Sequence, residues 1–289
     1  MHIGAKKKKI RIFRAIPVAC LLASTLLAGC TTLRRTELDD FRRQGERGSA
    51  APSEWFTGDD PLSEYRRSVE RIQALRLNGT ALISLPDDSQ RLAIRVETQE
   101  GRSEVEYRAR YGLAEGRILR EIDTLRHLPA KGPEVRVTLR GASADGRNGD
   151  SRLDGSWVDL MGGTDLFHLY RLPAAFQDTD DPSSAMVQSK SGNATTYRFD
   201  DGTRMDIIAE PTPVIRVAHA PFLPSGYVLL LEGALPPDRI GVMGLNPENR
   251  SDDGRMDWKP YLPQRLTLQN AMNRTRLVVL HEQAEVVVP

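Results

Sequence analysis

From Leu75 onward the chain alternates apolar and polar residues with a period of two, and this alternation restricts its fold more than any other feature. Leu75, Leu77, Gly79, Ala81, Ile83 and Leu85 alternate up to the turn signal Pro86-Asp87-Asp88. Leu92, Ile94 and Val96 then alternate with Arg91, Arg95 and Glu97. After Gly101, Val105, Tyr107, Ala109 and Tyr111 alternate with Glu104, Glu106, Arg108 and Arg110. Further short runs lie near Ile118–Ile122 and Val135–Leu139. Short strands with a turn about every twelve residues predict an antiparallel meander, apolar on one face and charged on the other. Such a sheet needs a cover. Leu62, Tyr65, Val69, Ile72 and Leu75 recur at spacings of three and four, which predicts an amphipathic helix from Pro61 or Leu62 to about Leu75.

The second half continues the pattern after an interruption. Gly141–Gly155 is a polar loop, whereas Trp157–Leu172 (WVDLMGGTDLFHLYRL) is apolar and suits one or two short helices broken at Gly162-Gly163. Strands are expected at Ala185–Ser189, Thr195–Phe199, Arg204–Ala209, Val214–Ala218 and Val228–Leu231. Residues 234–263 form a Pro-, Gly- and Asn-rich excursion too long for an ordinary connection, so they read as an insertion. Gln264–Gln269 and Arg276–His281 form a terminal hairpin, with Val286–Val288 as a further pairing segment. The expected fold class is mainly β with α: a curved antiparallel sheet forming an incomplete barrel, covered by a few short helices.

Charge is distributed unevenly. The 289 residues carry 40 Lys and Arg against 39 Asp and Glu, but Lys6 to Arg14 hold six of the basic residues and residues 1–29 hold no acid. The remainder is mildly acidic, 34 basic against 39 acidic, which argues against nucleic acid as the main partner. Ala15–Gly29 follows as a charge-free stretch interrupted by Pro17. A basic n-region before an apolar run of this length reads as a secretory signal rather than a transmembrane span. It ends in Leu27-Ala28-Gly29-Cys30, which resembles the bacterial lipobox. That resemblance implies a diacylglycerol thioether on Cys30, cleavage before it and an N-acyl chain on the new terminus; two or three chains anchor where one is marginal. Cys20 lies within the signal, so Cys30 is the only cysteine after it. Thr31, in place of an Asp, implies the outer membrane with the body facing the periplasm. The expected organisation is a signal peptide over 1–29, a Gly- and Pro-containing tether over 30–61 and one β-rich domain over 62–289.

Motifs for catalysis are missing from the sequence. His127, His168, His219 and His281 make no HxxxH or HExxH set. There is no Gly-x-Ser-x-Gly elbow, P-loop or dinucleotide fingerprint. Asp252-Asp253-Gly254-Arg255-Met256-Asp257 lacks the spacing of a calcium loop. The expectation is a non-enzymatic protein with no metal or cofactor beyond the acyl groups on Cys30.

The order of lipobox, tether, amphipathic helix, meander, apolar insert and further strands resembles the LolA/LolB group of half-barrel lipoprotein carriers and receptors. The residues that carry the resemblance are Leu75–Leu85 (LRLNGTALISL), Glu106–Glu121 (EYRARYGLAEGRILRE), the insert ending Tyr170-Arg171-Leu172-Pro173, and Leu262–Leu268 (LPQRLTL). The excursion at 234–263 departs from the group. The resemblance implies a periplasmic, outer-membrane-anchored protein that binds acyl chains of lipoproteins or lipids in an apolar cleft and serves lipoprotein localisation. By the same resemblance Leu113 becomes the lipid-handling loop leucine. An insert lying over the sheet makes Trp157, Leu160, Met161, Leu166, Phe167 and Tyr170 candidates for lining such a cleft, with plain core packing as the competing role. The alternative function is a docking module for an envelope protein partner, built on the same sheet with a filled core; an exposed sheet edge favours it and a closed apolar cleft favours the carrier. Replacing Cys30 by Ala is expected to release the protein from membranes, read by fractionation and by the mass of the N-terminal peptide; unchanged retention would refute the anchor.

Overall fold

The computed structural model describes residues 55–86, 89–109, 114–122, 124–138, 157–162, 164–172, 187–244, 258–270, 272 and 274–289. The chain divides into two compact units, 1–48 and 49–289, and every described residue belongs to the second. Its buried core draws on residues from Phe56 to Val288, so the unit from Ser49 carries a hydrophobic core of its own.

Fourteen strands form one sheet. In chain order they are β1 (Ala74–Ser84), β2 (Ser89–Gln99), β3 (Arg102–Ala109), β4 (Glu115–Glu121), β5 (Thr124–Pro129), β6 (Val135–Thr138), β7 (Val187–Ser191), β8 (Ala194–Arg198), β9 (Arg204–Ile208), β10 (Val214–Ala218), β11 (Tyr227–Glu232), β12 (Ile240–Met243), β13 (Arg265–Asn270) and β14 (Thr275–Val287). The spatial order runs β6-β5-β4-β3-β2-β1-β14-β13-β11-β10-β9-β8-β7, with β12 paired to β14 beside this path. Two meanders thus meet at the long central pair β1–β14. Among the described residues the path is open, since β6 and β7 each pair on one side. Burial alternates along β1, β2 and β3 as the sequence pattern requires. Inward residues from both flanks, such as Val105 on β3 and Ile207 on β9, join one cluster, so the sheet bends around a single interior. This is the incomplete antiparallel barrel expected from the alternation.

The central pair contains one irregularity. Leu75 faces Val286 and Leu77 faces Ala284, but after a bulge at Asn78/Gly79 the register shifts, so that Gly79 faces His281 and Ala81 faces Val279. The bulge brings Gly79 so near that a Cβ there would collide with the Leu280 carbonyl.

Among the described residues three α-helices lie on the inner face: α1 (Pro61–Val69), α2 (Trp157–Gly162) and α3 (Leu166–Arg171). Asp60 caps α1 by accepting from the Ser63 amide at 3.3 Å, and Pro61 fits the first turn because it has no amide to satisfy. The helix is shorter than its apolar spacing predicts. Ile72 and Leu75 are buried, but Gln73 already donates to the Val287 carbonyl, so sheet pairing ends the helix at Val69. The packed body also begins earlier than residue 62. Phe56 is buried and tilts against Tyr261, because two adjacent aromatics gain more in the core than in a tether.

The excursion contains a strand that its composition hides. β13 ends its pairing at Arg265–Leu280, which would leave the far half of β14 bare on one side. β12 fills that edge in parallel, with Ile240 opposite Ala284 and Met243 opposite Val287. Gly79→Ala should destabilise the body by about 1–3 kcal/mol, since the colliding atom is backbone and cannot rotate away. Urea melts of wild type and variant measure this, and an unshifted midpoint would show that the bulge can relax.

Candidate functional site

The apolar insert lies over the β2–β5 flank. α2 rests on β4, and α3 on β2 and β3. Close seating of α2 needs Gly162: a Cβ there would stand 2.5 Å from Leu125 Cδ1 and 2.8 Å from Ile118 Cγ2. α3 starts at Asp165, whose carboxylate accepts from the Phe167 and His168 amides at 3.0 and 3.3 Å. It stops at Leu172, which takes a positive φ of 51° while its amide still donates to the His168 carbonyl. Each helix has six residues, too few to persist alone, so tertiary packing holds both.

Of the residues expected to line a cleft, Leu160, Met161, Leu166, Phe167 and Tyr170 are buried together in the common core, and Trp157 is half-buried against it. Clefts open beside these residues, the second of them reaching Ile94 and Tyr107 of the inner face. One of about 450 Å³ lies beside α1, between Trp55 and Trp258; one of about 640 Å³ lies over β2–β5 among Arg95, Glu106, Arg108 and Arg117; a small one of about 150 Å³ sits among Arg95, Glu97, Glu104 and Glu106. As packed, these insert residues are buried against protein. Cys30 and Leu113 lie outside the described residues.

Both ends of the insert are fastened by aromatic–histidine contacts. At one end the Trp157 ring meets Tyr107 edge-on with centroids 4.7 Å apart, and the Tyr107 hydroxyl lies 2.6 Å from His127 Nε2. At the other, the Tyr170 hydroxyl lies 2.7 Å from His281 Nε2, while His281 Nδ1 is 2.7 Å from the Pro263 carbonyl. A carbonyl can only accept, so Nδ1 carries the proton and Nε2 accepts from Tyr170. Tyr65 adds a third tie by donating to the Tyr170 carbonyl at 2.9 Å, which joins α1 to α3. Burial holds His281 down to about 4, against the opposing hydrogen bonds to Pro263 and Gln264, and burial raises Tyr170 well above its ordinary value. The ring therefore stays neutral inside the core at physiological pH.

Tyr107, His127 and His281 were not among the residues expected at the site. A signal for His281 was present. It shares parity with Leu277 and Val279 in one strand, which turns it inward with them. Among the described residues no cluster of three or more His, Cys, Asp or Glu could hold a metal, and no helix is long and apolar enough to cross a membrane.

No family model matches the chain, and no curated protein matches its sequence. Several solved structures are similar in part. A LolA superfamily protein of Nitrosomonas europaea is 11% identical with a TM-score of 0.34, over 77% of this chain and 91% of its own. A domain described as an outer membrane lipoprotein-sorting protein, from Vibrio parahaemolyticus, is 10% identical with a TM-score of 0.36, over 78% and 90%. A DUF1329 family protein of Desulfovibrio piger is 8% identical with a TM-score of 0.30, over 78% and 90%. Overlaps this slight carry no argument for a family or a ligand, and the fold rests on the strand order above.

The buried neutral histidine sets a pH dependence. The unfolded chain binds a proton at His281 near pH 6.5 and the folded chain only near pH 4, so its contribution is complete above pH 6.5 and is lost as pH falls between those values. The loss is on the order of 3 kcal/mol. Denaturant melts of wild type and His281→Gln across pH 4–7 should show a shallower decline in the variant; parallel curves would place the ring in solvent.

Proposed function

We propose that this protein is a membrane-anchored envelope lipoprotein whose half-barrel takes an acyl chain on its inner face, with the α2–α3 insert as a displaceable occupant of that place. The observation that carries the reading is the apolar continuity beneath the insert. Ile94, Val96, Val105, Ile118 and Leu125 line the sheet there, and the insert covers them with Leu160, Met161, Leu166 and Phe167. About fifteen methylenes at about 0.8 kcal/mol each give a transfer ceiling near 12 kcal/mol. Undocking the eight buried apolar side chains of the insert, Val158, Leu160, Met161, Leu166, Phe167, Leu169, Tyr170 and Leu172, at about 1.5–3 kcal/mol each costs as much or up to twice that. Reversible loading therefore requires that the displaced insert keep part of this surface covered. The chain expected on Cys30, or that of another lipoprotein or lipid, has the chemistry that fits.

One observation favours the docking alternative. Among the described residues the edge strands β6 and β12 pair on one side, and Val135 and Met243 on them are exposed. A partner strand could add there while the interior stays filled.

Unseating the insert separates the two. A Cβ at Gly162 would collide with Leu125 and Ile118, so Gly162→Leu should push α2 off β4. Wild type is expected to take up a fluorescent fatty acid, and the variant to bind it at least tenfold more tightly while its circular dichroism still reports the folded sheet. No uptake by wild type, or uptake indifferent to Gly162→Leu in a folded variant, would refute the carrier and leave docking.

A further inference from the structure

We infer that the cleft beside α1 is a seat for the surface of an anionic phospholipid bilayer, separate from the apolar interior. It lies where the described chain begins, at Trp55, on the outer side of α1. Two half-buried tryptophans flank it, Trp55 and Trp258. The Trp258 indole donates to the Arg67 carbonyl at 2.6 Å, and Trp55 packs edge-on against Tyr261 at 5.3 Å. Both rings are thus fixed at the protein surface with part of each still exposed. Among them stand the exposed cations Arg67, Arg71 and Lys259, with Lys259 Nζ 4.8 Å from the centre of the Trp55 ring. Arg171 reaches the same end of α1 by donating to the Glu70 carbonyl at 3.1 Å.

Two acids share the cleft, and one is already engaged: Glu64 accepts from the Gly58 amide at 2.7 Å, while Glu70 is exposed. The cations outnumber the acids, in a body that is acidic as a whole. Amphipathic indoles held at a surface beside Lys and Arg match the bilayer interface, where rings settle at headgroup level and cations meet phosphates. A deep pocket for a free anion would instead bury its cations, and these are exposed. Position along the chain agrees, since Trp55 follows Cys30 by twenty-four intervening residues and is among the first residues of the packed body. In that respect alone the inference leans on the proposed anchor; the chemistry of the cleft does not.

The test uses the body from Ser49, which lacks both anchor and basic leader. It is floated with phosphatidylcholine vesicles with and without phosphatidylglycerol, and tryptophan emission is followed. Wild type should bind the anionic vesicles, release them as salt rises, and shift its emission to the blue. At about fivefold per cation, Arg67→Glu/Lys259→Glu should weaken binding more than tenfold. Trp258→Phe, which keeps the ring but loses the indole N–H, should weaken it less and guards against misfolding of the double variant. Fatty-acid uptake should be unchanged in all variants, so a failed seat and a failed carrier give different results. Equal binding to neutral vesicles, an unweakened double variant, or the same emission shift with inorganic phosphate alone would overturn the assignment. So would self-association abolished by the double variant, which would make a second copy the occupant.

Discussion

One apolar face of a long curved sheet has to be hidden from water, and the rest of the molecule answers to that requirement. At its centre Leu75, Leu77, Ala81 and Ile83 of β1 meet Leu277, Val279, Ala284 and Val286 of β14, all buried. Neither meander could bury this row alone, because a single sheet has no second layer. Curvature brings the flanks toward each other, and the three helices supply the missing cover. α1 is tied in from the far flank, where the Tyr197 hydroxyl on β8 accepts from the Leu62 amide at 3.2 Å. Its hydroxyl also lies 3.3 Å from the Asp60 carboxylate, and burial, aided by that carboxylate and opposed by the Leu62 hydrogen bond, raises its pKa to about 12.

The outer face meets the opposite requirement. Arg76 pairs with Glu97 at 3.5 Å and Glu285 at 3.6 Å, Arg95 with Glu97 at 3.2 Å, and Arg117 with Glu104 at 3.4 Å. These pairs are solvated, and each adds little to stability. Their collective effect is to keep one side of a long sheet wet, so that the curvature has only one possible direction. Asp206 is the tighter node, accepting from Thr196 at 2.7 Å and flanked by Arg204 and Arg216 at 3.1 and 3.2 Å. Burial opposes its ionisation, but these hydrogen bonds and charges outweigh it and leave the carboxyl below its usual range.

What was legible in the sequence follows from the range of the forces involved. Alternation is local, so β1 to β3 and the inward face could be read directly from Leu75 to Tyr107. The insert was legible as apolar and broken, and it folds as two helices because Asp165 caps the second. The end of α1 was not legible: Ile72 and Leu75 fit a helical stripe equally well, and only pairing with β14, more than two hundred residues away in the chain, decides for strand. β12 was hidden for the same reason, since four residues among prolines and glycines become a strand only where β14 offers an empty edge. The histidine ties are pairings across the fold, of His127 with Tyr107 and His281 with Tyr170, and spacing does not encode them.

The last pairing bears on whether the interior can serve a lipid at all. An apolar chain will not stay against an ionised wall, because burying an unpaired charge costs far more than a few methylenes return. Apart from tyrosines, His281 is the one ionisable side chain buried on the inner side among the described residues, since Asp206 lies on the outer face under its arginines. Its proton sits on Nδ1 and is held by Pro263, a partner in the sheet's own connection rather than in the insert. Departure of α3 would therefore remove only the Tyr170 bond and leave a neutral ring with one free acceptor. That acceptor can be met by a single water or by a polar atom near a lipid headgroup, at the cost of one hydrogen bond rather than one charge. With the histidine fixed in this tautomer, the proposed exchange of the insert for an acyl chain would leave the ring's charge unchanged.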